Sequence, residues 1–207
     1  MLARWLLLGL AFELLLAGSI GVWVARGSDG GAVCAVLAAA AVMLGWRIGL
    51  ISITFALAWH WRSPRPPGAR IGPTATLRMM IEEVVAYTVL YAVLQPFERW
   101  WMGDDRLRRL GPEQVPVVSI HGYLCNRGVW WSLRGRLEAA GGCVATLNLE
   151  PPFGSIDAFA EQLARRIEDV LAATGARRVA LVAHSMGGLV ARAYLARHGA
   201  DRVARLS

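Results

Sequence analysis

The sequence predicts an α/β fold, a parallel sheet covered by helices, preceded by an N-terminal transmembrane helical hairpin. Three observations predict it. The first sixty residues are two long apolar runs joined by a short polar turn. From Val115 onward, short β-branched runs alternate with stretches of helical periodicity. The loops between them are too short for anything but adjacent elements.

Composition agrees with this division. The chain has 207 residues and is 56% hydrophobic, above the about 45–50% of soluble domains, and the excess lies in the N-terminal part. All 22 cationic side chains are Arg, and the formal net charge is +7. The arginines are scattered, with no basic run interleaved with aromatics, so nucleic-acid binding is not expected. Arginines flanking membrane spans account for the charge, which makes the lipid bilayer the expected partner. The 3 cysteines, Cys34, Cys125 and Cys143, form no CxxC pair. Cys125 and Cys143 fall at opposite ends of neighbouring parallel strands, too far apart for a disulfide, so free thiols are expected.

Residues 1–61 are read as the hairpin. Trp5–Val24 is 20 residues with one charge, Glu13, about 30 Å long as a helix and enough to cross a bilayer. "ARGSDGG" (Ala25–Gly31) is a turn. Ala32–Trp61 is a second apolar run with one charge, Arg47. A signal peptide is the rival reading of the first run; the lack of a small-x-small cleavage site and the second span count against it. A charge near the bilayer centre costs at least ~2.5–3.5 kcal/mol. Antiparallel packing puts Glu13 and Arg47 at similar depth, where they pair, or else each faces a partner subunit or snorkels separately. Arg62, Arg65, Arg70 and Arg78 follow the second run, whereas the turn holds only Arg26. The positive-inside rule then puts both termini in the cytoplasm.

Residues 62–110 are read as linker and an amphipathic or membrane-associated helix. "RSPRPPGARIGP" (Arg62–Pro73) cannot be helical throughout. Met79–Phe97 carries adjacent Glu82 and Glu83, and its uncharged part, Val84–Phe97, is only 14 residues, short for a span. A helix lying on the membrane or on the following domain is expected, with Trp100 and Trp101 suited to an interface. Should it span, the following domain changes sides.

Residues 111–207 carry the alternation. Val115–Ile120, Cys143–Leu149 and Arg178–Ala183 read as strands. Trp130–Gly141, Ser155–Gly175 and Gly188–His198 read as helices. In the second, Phe159, Leu163, Ile167, Val170 and Leu171 share one face, Ser155 is a cap, and Asp157 and Glu161 lie near the positive end. "DRVARLS" (Asp201–Ser207) starts a further strand. Ser185 sits at the carboxyl end of a strand and immediately before a helix, where reactive groups of open parallel sheets collect. A sharp turn there forces an unfavourable backbone conformation. It also requires small residues two before and two after, and these are Ala183 and Gly187.

"AHSMGG" (Ala183–Gly188) resembles the nucleophile elbow of the α/β-hydrolase fold, with Ala183 where the first Gly is usual, as in bacterial lipases. "SIHGYLCNRGVWW" (Ser119–Trp131) is similar to that family's oxyanion loop. The resemblance covers the last ninety or so residues and none of the membrane part. It implies an α/β-hydrolase-type parallel sheet, incomplete here, and a serine ester hydrolase of lipase or esterase type acting on acyl esters. Ser185 is implied as nucleophile, and the backbone amides of Tyr123 and Met186 as the oxyanion hole. His121, Gly122, Ala183, His184 and Gly187 are implied as support for loop and elbow, with His121 shaping the loop and His184 pointing away. A helix cap is the structural alternative for Ser185.

The family's triad runs Ser, then Asp or Glu, then His. Only 22 residues follow Ser185, and His198 and Asp201 come in the wrong order. The chain is therefore expected to be a fragment without triad acid or base, inactive alone within an active parent protein. No metal or organic cofactor is expected, in the absence of HExxH or a Gly-rich phosphate loop. Location in a bacterial inner membrane, with the catalytic domain on the cytoplasmic side, is the expectation. An acyltransferase or thioesterase on the same fold, and a non-catalytic membrane adaptor with a degenerate domain, are the alternatives.

Overall fold

The computed structural model describes residues 1–29, 31–63 and 71–207. They form two compact units, Leu7–Val93, and Leu94–Ser207 together with Met1–Leu6. Most of the linker expected at Arg62–Pro73, with Arg65 and Arg70, lies outside the described residues, as does Gly30 of the first turn.

In the first unit, α1 (Leu2–Arg26) and α2 (Gly31–His60) are each long and apolar enough to cross a membrane. They form an antiparallel hairpin held at two places. Near one, the Arg47 guanidinium meets the Glu13 carboxylate with both nitrogens, Nη2 to Oε2 at 3.0 Å, and Nη1 also donates to the Met43 carbonyl at 2.7 Å. Of the alternatives left open by the sequence, direct pairing is the one observed. Arg47 is 5% exposed, so each charge answers the other's desolvation. At the second place a Cβ on Gly21 would lie 2.5 Å from the Ala35 carbonyl oxygen. Glycine there lets the two backbones touch.

α3 (Pro73–Val89) starts with Pro at its first turn, where the missing N–H is no loss. It packs against α2 and runs into one π-helical turn, Leu90–Leu94. The stretch Met79–Phe97 is thus a shorter helix plus an irregular turn. Among the described residues, α1 and α2 are the two helices that meet the length and hydropathy needed to span.

The second unit begins at Leu94, well before residue 111, where the sequence puts the domain boundary. The reason is polar and therefore invisible to hydrophobic periodicity. α4 (Glu98–Met102) and the irregular chain after it are stitched to the strand ends by buried ions. Asp105 accepts from the Thr146 backbone N–H at 2.7 Å, Thr146 Oγ1 at 3.0 Å and Arg166 Nη2 at 2.5 Å. It also pairs with Arg134 at 3.1 Å. Arg134 in turn donates to the Met102 and Asp104 carbonyls, both at 2.8 Å.

Four strands follow, β1 (Val117–Ile120), β2 (Val144–Thr146), β3 (Val179–Ala183) and β4 (Val203–Leu206). All are parallel, in the order β2-β1-β3-β4. α5 (Trp131–Ala139), α6 (Ile156–Thr174) and α7 (Met186–His198) are the crossovers. Ser155 accepts from the Ala158 N–H at 3.1 Å, and Gly175 closes α6 at φ 74°, as its capping residues predict. The apolar stripe of α6, with Phe159, Leu163, Ile167 and Val170 all fully buried, packs with Val190, Ala191 and Tyr194 of α7. Both lie on Val118, Ile120, Val179 and Leu181 of the sheet. Right-handed connection puts α5 on the opposite face. The sheet is therefore doubly wound, and its direction of winding reverses between β1 and β3. The crevice at the carboxyl ends of such a strand pair is where open α/β sheets bind ligands.

Candidate active site

β1 and β3 pair in register, Ile120 with Ala183. The residues just past them, His121–Gly122 and His184–Ser185, are therefore neighbours in space. The pairing extends one bond further, from the His184 N–H to the Ile120 carbonyl at 3.0 Å.

Ser185 adopts φ 53°, ψ −120° and makes no side-chain capping bond to α7. A residue with a Cβ held in such a conformation costs on the order of 1–3 kcal/mol, and it persists only where its surroundings force it. They do so here through close contact. A Cβ on Gly187 would lie 2.5 Å from the Ile120 carbonyl oxygen and 2.9 Å from that of His121. Only glycine lets α7 leave the strand so tightly. Ala183, two before the serine, is half-buried. The turn leaves Ser185 exposed at the start of α7, where the helix dipole is positive. The Gly187 and Gly188 N–H groups there are taken up by the His184 and Ser185 carbonyls, at 2.9 Å each. Met186 carries the first N–H of the helix.

The facing loop comes equally close. A Cβ on Gly122 would lie 3.2 Å from Ser185 Cβ and 3.0 Å from His184 Nδ1. Tyr123 follows Gly122 in a tight turn closed by the Cys125 N–H on the Gly122 carbonyl at 3.3 Å. Leu124 takes φ 51°, a second forced backbone. The Tyr123 ring is exposed and meets the Phe153 ring edge-on, 6.2 Å between centroids.

His121 is buried and uses both ring nitrogens on the main chain. Nε2 accepts from the Leu149 N–H at 3.0 Å, so Nδ1 carries the proton and donates to the Gly122 carbonyl at 2.9 Å. Burial pushes its pKa below the usual 6.5, against smaller opposing effects from the Gly122 bond and the charges of Glu98 and Glu150. The ring is a neutral strut between the loops after β1 and β2. His184 is exposed beside Gly122. His198 stacks on Tyr194 and approaches Glu161 at 3.2 Å. It stands 13 residues along α7 from Ser185, about 20 Å at the helical rise. His198 and Asp201 are thus remote from the serine. Among the described residues no group of His, Cys, Asp and Glu is arranged to hold a metal, and Cys34 and Cys143 are free thiols.

The loop has supports that motif reading did not find. Gln95, fully buried, accepts the Asn126 N–H at 2.9 Å and receives the Asn126 Nδ2 on its own carbonyl at 2.8 Å. Glu98 accepts from Arg127 Nε at 2.7 Å and Asn148 Nδ2 at 3.1 Å. The one signal for them in the sequence is a Gln and a Glu three residues apart beside Pro96 in an otherwise apolar-aromatic run.

Residues 115–206 match the model of the α/β hydrolase fold. A curated triacylglycerol lipase of Pseudarthrobacter phenanthrenivorans is 35% identical over 88 residues, 38% of this chain and 27% of that protein. Another, of Burkholderia plantarii, is 35% identical over 88 residues, 38% of this chain and 24% of that protein. The chain spans about a quarter of the length of these relatives. A solved structure of a Bacillus licheniformis lipase in mature form superposes with a TM-score of 0.44 at 24% identity, over 49% of this chain and 42% of that one. Residues 115–206, with their elbow and parallel sheet, are thus similar to the α/β hydrolase fold as it occurs in these lipases.

Proposed function

We propose that this chain is the membrane-anchoring and nucleophile-bearing part of a serine ester hydrolase acting on acyl, principally lipid, esters. The observation that carries the reading is the strained, exposed Ser185 at the head of α7 with Gly122 packed against its Cβ. The Ser185 hydroxyl attacks the ester carbonyl, and the developing oxyanion accepts from the N–H groups of Met186 and Tyr123. Collapse of the tetrahedral intermediate expels the alcohol and leaves an acyl-enzyme, which water then hydrolyses. His121 is committed to the backbone at both ring nitrogens and His198 stands far from the serine, so neither is placed to serve it as general base. Loss of a single oxyanion donor typically costs about 10²–10³ in rate. The lipase names of the relatives favour lipid esters over small ones.

The anchor is part of this reading. α1 and α2 expose Phe12, Leu15, Trp23, Val36, Leu37 and Trp46, a surface that water disfavours and lipid accepts. Held in a bacterial inner membrane with the catalytic unit on the cytoplasmic side, the site meets its substrates at the bilayer surface. A fluorophosphonate probe on the full-length protein in native membranes tests the chemistry. Labelling at Ser185, lost in Ser185→Ala, is expected; a protein that neither labels nor releases p-nitrophenol from p-nitrophenyl butyrate would be an adaptor instead. Competition by an alcohol acceptor separates hydrolase from acyltransferase.

A further inference from the structure

We infer that Gln95 is a positioning residue for the oxyanion donor, acting through Asn126 on the turn that carries Tyr123; this rests on the hydrolase reading above. The turn Gly122–Cys125 is held under backbone strain, with Leu124 at φ 51°. A strained turn keeps its shape only if both ends are fixed. Its leading end is fixed by His121, whose Nδ1 donates to the Gly122 carbonyl at 2.9 Å. That carbonyl also receives the Cys125 N–H. Its trailing end is Asn126, which is 3% exposed and hydrogen-bonded along its whole length. The Asn126 N–H donates to Gln95 Oε1 at 2.9 Å, its Nδ2 to the Gln95 carbonyl at 2.8 Å, and its Oδ1 accepts the Gly128 N–H at 2.9 Å. Gln95 therefore reads both the backbone and the side chain of Asn126, from a segment outside the sheet.

Space around this contact is equally restricted. A Cβ on Gly128 would lie 2.9 Å from Asn126 Oδ1, 3.0 Å from the Leu94 carbonyl and 3.2 Å from Glu98 Cβ. The trailing end has no room to drift while residues 94–98 stay in place. The Gln95 side chain contributes its oxygen, for its buried Nε2 has no partner. This asymmetry separates an acceptor role from simple filling of space. Gln95→Met keeps the shape and removes the acceptor, whereas Gln95→Glu, held in the protonated form by full burial, keeps an acceptor oxygen and alters only the idle end.

The test uses full-length protein in membranes, well below its melting temperature. Gln95→Met is expected to lower kcat for p-nitrophenyl butyrate, and the rate of fluorophosphonate labelling at Ser185, by ten- to a hundredfold, with KM within twofold. Gln95→Glu is expected to restore most of the loss. Hydrogen exchange of the peptide spanning residues 120–128 should quicken in Gln95→Met and not in Gln95→Glu. Unchanged kcat and exchange in Gln95→Met, or equal losses in both variants, would overturn the inference. Failure of the unaltered protein to label at Ser185 would instead overturn the hydrolase reading, and the exchange comparison alone would then decide whether Gln95 holds the turn.

Discussion

Replacing Gly187 by Ala tests the elbow more directly than any change at the serine. The added methyl would sit 2.5 Å from the Ile120 carbonyl oxygen, 2.9 Å from that of His121 and 3.0 Å from the Ile120 carbonyl carbon. These are main-chain atoms, and the Ile120 oxygen is tied to the His184 N–H at 3.0 Å, so none can swing aside. Ordinary contact begins near 3.4 Å, and the first clash must therefore open by about 0.9 Å, a scale at which packed interiors respond with ~1–3 kcal/mol of strain. Gly188, its neighbour on α7, supplies the control, for a Cβ there meets nothing within 4 Å. Gly188→Ala should gain about 0.5–1 kcal/mol from reduced chain entropy. Since that gain is common to both changes, the two alanine variants should differ by about 1–3 kcal/mol, or at least about 4 °C in melting temperature for a domain of about 100 residues. The readout is alkylation of the buried Cys143 thiol during a thermal ramp in detergent, with the modified peptide identified by mass spectrometry. If Gly187→Ala melts as high as Gly188→Ala, the tight strand-to-helix exit is wrong, and with it the reason Ser185 is held exposed.

Three further outcomes are expected. His121 is neutral in the fold with its pKa below 6.5, so the unfolded chain binds the extra proton. Stability is complete above about pH 6.5 and declines as pH falls toward the folded value; in urea titrations from pH 7 to 5, His121→Gln should flatten that decline, and an unaltered slope would refute the strut. Asp105→Asn leaves Arg134 and Arg166 facing a neutral group in a site where the Asp105 side chain is 4% exposed. It should lose about 3–5 kcal/mol, whereas removing the exposed Glu168–Arg202 pair should change stability by no more than about 1 kcal/mol; equal effects would deny the buried network its weight. Glu13→Arg and Arg47→Glu should each impair membrane insertion, measured by fractionation and protease protection. The double swap should restore it, and a double variant as defective as the singles would refute the pairing.

How much of this was legible in the residues depends on the kind of signal. The elbow could be read because two steric demands, at Ala183 and Gly187, leave a fixed local trace around Ser185. α6 could be read from its apolar stripe and its two caps, Ser155 and Gly175. Strand edges were less legible. β1 starts at Val117 rather than Val115, and β2 ends at Thr146 rather than Leu149, because an apolar residue past a strand's last ladder bond looks like one inside it. Gln95, Glu98 and Asp105 left no periodic pattern. Their partners lie 31, 29 and 41 residues away at Asn126, Arg127 and Thr146, and a hydrogen bond between irregular segments imposes no periodicity on either. The segment they occupy therefore read as linker and amphipathic or membrane-associated helix.

Tyr123 and Met186 are 63 positions apart along the chain, yet they come from strands that share a hydrogen-bonded ladder. Everything between β1 and β3, namely β2 with its flanking helices, is a detour that leaves that ladder and returns to it. Lengthening the detour at its outer bends, such as Gly141 or Gly175, leaves the spacing of the two amides untouched. The same insertion at His121 or His184 would change it at once. Changes of loop length are thus accommodated at the far rim of the sheet, while the end that carries Ser185 keeps its spacing.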